Sequence, residues 1–150
     1  MRADDALASA WNGLVSQMER PEVFYTYEWA LAVHRSHATR FVPLLMLGFE
    51  GDRLMAGAAL AVDKEQSEQV VFLAATTADY CDFVSAPEER DRWIGAVLGE
   101  LRRLGVTRLA LANVPQHSRS VVSLQRIARK YGFVQYTRPG YFCSQVKFYI

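Results

Sequence analysis

The sequence predicts a mixed α/β fold, and three observations carry that prediction. Apolar residues recur at helical spacing in four stretches, they gather into short strand-like runs elsewhere, and the two kinds of stretch interleave along the chain. The order read from them is α-α-β-β-β-α-β-α-β-β. The 150 residues are 51% hydrophobic and 22% charged with a formal net charge of +1, a balance that excludes a disordered chain and describes one core-driven domain over 1–150.

The elements follow in order. Leu7, Ala10, Trp11, Leu14, Val15 and Met18 lay one apolar stripe on a first helix, with Asp4 or Asp5 as N-cap and Pro21 beyond its end. A second helix starts after Thr26 as N-cap and runs to about His37. The apolar runs Phe41 to Phe49 and Leu54 to Val62 flank Glu50-Gly51-Asp52-Arg53 and form a hairpin, with Pro43 at a strand end or a sheet edge. Gln69 to Ala75 is a third strand. Ser85-Ala86-Pro87-Glu88 has the pattern of a capping box for the next helix, which buries Ile94, Val97, Leu98, Leu101 and Leu104 and stops at Gly105. Val106 to Ala112 is a strand, and about Ser118 to Tyr131 is a helix ending at Gly132. Phe133 to Thr137 and Tyr141 to Ile150 close the order as two strands joined by a type II turn at Arg138-Pro139-Gly140-Tyr141.

Charge is unevenly placed. Residues 1–100 carry 8 Lys+Arg against 16 Asp+Glu, a balance of −8, and residues 101–150 carry 9 Lys+Arg and no acid, a balance of +9. Either an anion-binding face or mutual neutralisation of two halves accounts for this, and the interleaving of the basic residues with core positions favours neutralisation. No RNA-stacking motif accompanies the arginines, so nucleic acid is not an expected partner. The longest charge-free stretch, Ala6 to Met18, is far too short for a membrane span. With acidic Asp4 and Asp5 near the start and only Cys81 and Cys143 for disulfides, a cytoplasmic setting is expected.

The element order is similar to the acetyltransferase fold called GNAT, minus its first short strand. The local wording most resembles the first unit of the tandem FemAB-like and CelD-like proteins. The residues that carry the likeness are Thr26 to Trp29, Gly51-Asp52-Arg53-Leu54 at the hairpin turn, Asp79-Tyr80-Cys81-Asp82-Phe83, Ala112-Asn113-Val114-Pro115 and Tyr131-Gly132-Phe133. The resemblance implies a GNAT-like mixed sheet, a chain that forms one unit or the first half of a tandem, and an acyltransferase. The family's glycine-rich pyrophosphate loop corresponds here to Thr76 to Glu88, which has no Gly and carries Asp79, Asp82 and Glu88. Phosphate needs close backbone approach and positive potential, so this segment should repel it. The position of the family's common general-acid tyrosine is Ala128. No cofactor is therefore expected in this domain, and acetyl-CoA or another acyl donor would belong to a second unit. The chain would be the substrate-side or structural half, catalytic residues unassigned. The alternatives are a non-catalytic interaction or dimerisation module and a complete divergent N-acetyltransferase.

In such an architecture neighbouring parallel strands splay after the third strand, where ligands bind. That puts Asp79, Tyr80 and Asp82 in a crevice with Asn113 and His117, groups suited to hydrogen-bonding a sugar, polyol or amine substrate. The competing reading has Asp79 and Asp82 capping a turn or the coming helix and Tyr80 packing its ring. His34 and His37 have the spacing of two metal ligands but no third ligand nearby in sequence, so no metal is expected. Cys81 and Cys143 read as structural residues, and Trp11, Trp29 and Trp93 as core. The partners admitted are a small acceptor, a second GNAT-like unit and a second copy of the chain.

Overall fold

The computed structural model describes residues 3–66 and 69–144. Helix α1 (Ala3–Val15) and a 3-10 turn (Val23–Tyr25) lead into α2 (Tyr27–Ser36), whose N-cap Thr26 accepts a hydrogen bond from the Trp29 amide as its sequence position predicts. Strands β1 (Phe41–Glu50) and β2 (Arg53–Asp63) form the expected hairpin, with a bulge between Gly48 and Phe49. Strand β3 (Gln69–Phe72), the two-residue β4 (Val84–Ser85), helix α3 (Arg90–Arg103), β5 (Arg108–Ala110) and α4 (Arg119–Ile127) follow. The sheet runs β1-β2-β3-β5, antiparallel except for the parallel β3–β5 pair. The chain leaves β3, loops through 73–83, and returns to β2 as β4, pairing Val84 with Gly57 and Ser85 with Ala56.

Two tryptophans fix the layers on the sheet. A Cβ at Gly57 would lie 2.3 Å from the Trp11 ring of α1, and a Cβ at Gly48 would lie 2.8 Å from the Trp93 ring of α3. Gly48 pairs with Ala56, the neighbour of Gly57, so successive residues of β2 turn toward different helices. The two glycines let indole rings rest directly on the backbone. Trp11 donates its Nε1–H to the Tyr25 carbonyl at 2.7 Å and Trp93 donates to the Gly57 carbonyl at 3.2 Å, so neither ring is buried with an unmet donor. The larger core joins β2 and β3 to Ile94, Val97, Leu98 and Leu101 of α3, and the smaller one joins Trp11, Leu14, Val15 and Met18 to Leu54 and Val84. Fully buried Leu60, Ile94 and Leu101 each contribute roughly 1.5–3 kcal/mol by leaving water.

Several expectations are corrected. Asp4 and Asp5 lie within the first turn of α1 and not at its N-cap, Leu104 at the end of α3 is half exposed and not buried, and the strand expected over Val106 to Ala112 is confined to Arg108–Ala110. Ser85 is no capping-box residue. Its hydroxyl is fully buried and bonded to Arg90, and the helical run opens with a 3-10 turn, Pro87–Glu89, whose N-cap Ala86 has no side-chain cap. The third strand stops at Phe72 because the chain turns over there, Ala75 and Ala78 amides bonding to the Phe72 and Ala74 carbonyls. Residues 133–137 and 141–144 form no strand. A strand is a paired object, and among the described residues none forms a ladder with this segment. The remainder of the expected last strand, 145–150, lies outside the described residues. No helix among the described residues is long and apolar enough to cross a membrane.

Candidate functional site

The loop after β3 and the loop after β5 meet at one end of the sheet, and a single asparagine stitches them. Asn113 sits in the left-handed region (φ +64°), which Asn tolerates better than most residues. There its Nδ2 donates to the carbonyls of Ala75 and Ala78, both at 2.9 Å, and its own carbonyl accepts from the Cys81 amide at 2.9 Å. The strands that were expected to splay here are bridged.

Beneath the stitch lies a buried polar cluster. Asp82 accepts from the Ser118 and Ser120 hydroxyls at 2.5 Å each and from the Phe83 amide at 2.8 Å. Arg90, 1% exposed, makes no fewer contacts. It donates to the Ser85 hydroxyl and carbonyl, to the Ser120 hydroxyl at 2.8 Å and to Glu19 at 3.2 Å, and lies 3.4 Å from Asp82. The cluster ties the turn after α1, the loop after β3, β4, α3 and the start of α4 together. Burial pushes the Asp82 carboxyl above its ordinary range, against the pull of Arg90 and the donated hydrogen bonds. Burial also pushes the neighbouring Cys81 thiol up to about 12 and raises the Tyr25 phenol.

The five residues read as a crevice therefore divide. Asp82 and Asn113 are internal ties. Tyr80 is half-buried, its ring 6.4 Å from Phe24. Asp79 and His117 are exposed, and the Asp79 carbonyl accepts from the Tyr141 hydroxyl at 2.9 Å. Behind them a cavity of about 20 Å³, lined by Trp11, Phe24, Tyr25, Phe72, Cys81 and Asp82, has room for one water molecule. Among the described residues no imidazole hydrogen-bonds to Ser118 or Ser120, so Asp82 acts as a hydrogen-bond hub rather than the orienting member of a nucleophilic triad.

Sequence reasoning passed over Arg90, Glu19, Ser118 and Ser120. One signal pointed to Arg90: a cation in the first turn of a helix opposes the macrodipole and calls for a specific partner. Trp11, Trp93 and Tyr25 are buried, and Phe24 meets Trp29 edge-to-face at 4.9 Å. Cys81 is buried and Cys143 exposed, both as free thiols. Among the described residues no group of three or more His, Cys, Asp or Glu is placed to hold a metal, and the Nδ1 atoms of half-buried His34 and His37 have no hydrogen-bond partner. A scan against protein-family models finds no match, and searches of curated proteins and of solved structures likewise find none.

Proposed function

We infer that this chain is the substrate-side or structural unit of an acyltransferase of GNAT-like fold, with the acyl donor handled by a different unit. The observation that supports the reading is the approach to α3. A helix N-terminus binds pyrophosphate when bare backbone amides face an open, electropositive surface. Here the approach is a glycine-free segment that folds inward onto Arg90, and its 3-10 turn carries Glu88 and Glu89 outward of that buried guanidinium. The charge that would attract an anion is consumed internally by Asp82, Ser85 and Glu19. The acceptor in this reading is an amine or a sugar, with Asp79 and His117 as the exposed polar groups beside the stitched loops. Titration calorimetry with acetyl-CoA on the purified chain tests it: no saturable heat is expected, and micromolar binding or turnover with an amine acceptor would instead mark a complete, divergent acetyltransferase. The reading as an interaction module draws on a separate observation, the exposed apolar edge of the sheet.

A further inference from the structure

The strand path β1-β2-β3-β5 has two ends, and they differ in chemistry. Strand β5 is three residues long and begins at exposed Arg108. Strand β1 is ten residues long, and nothing from Phe41 to Phe49 is charged. Among the described residues no strand pairs with its outer side. Val42 is 47%, Leu45 45% and Phe49 56% exposed, so the edge is apolar as well as open. A long, uncharged, apolar edge strand is a template for another strand.

We propose that β1 is a homodimer interface, in which two copies pair their β1 strands antiparallel about a two-fold axis at Leu45 and form one continuous sheet. This goes beyond the acyltransferase reading and does not rest on it. The choice of a second copy over a foreign chain comes from self-complementarity. With Leu45 opposite Leu45 of the other copy, Pro43 faces Leu47 and every central pair is apolar. One step beyond the apolar run, Arg40 of each copy comes opposite Glu50 of the other, so opposite charges flank the ladder at both ends. Half-exposed Arg40 binds Asp63 through Nε and Nη2 and lies near Glu65 through Nε, and its Nη1 takes no part in these contacts. Pro43 lies opposite Ala61 of β2, and a residue without an N–H sits in a ladder where its nitrogen faces the open side, so in the dimer each Pro43 carbonyl accepts from Leu47 of the other copy while its nitrogen returns no bond. By the two-residue period Leu45 and Leu47 then present their N–H groups outward. Strand β5 offers only three residues to such a ladder, which disfavours that edge.

Sedimentation of the full chain from about 1 to 100 µM should show a monomer–dimer equilibrium in the micromolar range. Leu45→Lys sets two ammonium groups face to face and should weaken dimerisation by roughly tenfold or more. Leu45→Thr keeps strand propensity without charge and should weaken it less, which guards against a folding defect in the lysine variant. In a Cys143→Ser background, Leu45→Cys should give an intermolecular disulfide under mild oxidation, whereas Phe49→Cys, away from the axis, should not. A monomer across the whole range, a dimer indifferent to Leu45→Lys, or open-ended higher assembly would each overturn the proposal.

Discussion

Asp82 and Asp63 are both held by an arginine, yet their surroundings send the two carboxyl groups in opposite directions. Asp63 accepts from Arg40 at 2.8 and 3.3 Å and from the Glu65 amide at 3.0 Å. Its guanidinium partner faces water, and the hydrogen bond from Arg40 holds the carboxyl below its ordinary range. Asp82 has as many donors, but it and Arg90 are both buried and the guanidinium is shared with Glu19 and Ser85. Desolvation then outweighs attraction and the carboxyl is raised. Both carboxylates are buried, and the same pair of functional groups stabilises its charge where the guanidinium reaches water and strains it where the guanidinium is buried as well.

The sharpest way to break this comparison is to remove Arg90. Arg90→Ala leaves Asp82 buried without its counter-ion and should lower stability by about 3–5 kcal/mol, read from urea unfolding; a loss below about 1 kcal/mol would show that the cluster is wetter than its geometry implies. A smaller effect has a sign to test. The folded state raises the Asp82 pKa, so its contribution is fully present below the ordinary aspartate range and is lost as pH rises through the folded value. The folded state lowers the Asp63 pKa, so its contribution is present above that range and is lost as pH falls through the folded value. Between pH 7 and pH 3, wild type should therefore gain stability relative to Asp82→Asn and lose it relative to Asp63→Asn. Parallel slopes would contradict the assignment. The smallest effect concerns the thiols. Cys143 should react promptly with an aromatic disulfide reagent in the native protein, whereas Cys81, beside Asp82 with its pKa pushed up to about 12, should react only after denaturation.

How far the sequence was legible follows the same division between local and non-local causes. The helices, the β1–β2 hairpin, the Thr26 cap and the Ser118 start of α4 are set by side-chain period and by neighbours within four residues, and all were readable. Ser85 was misread because a capping box and a buried partner for Arg90 look alike over four residues. What separates them is Ser120, thirty residues further on. The two-residue β4 has no period at all and exists because β2 offers it a place. Phe133 to Thr137 alternates like a strand and yet forms no ladder among the described residues, the converse case. In the crevice the residue types were found and their company was not: Asp82 was visible as an acid after a strand, while its serine donors come from the start of α4.

Asn113 makes the two loop ends one mechanical piece. Its amide grips two carbonyls of the first loop while its own carbonyl holds a third point of that loop, so neither can be pried outward without dragging the other or losing three bonds at once. Any visitor at this end of the sheet meets a rivet, and gaps that open there must open all together.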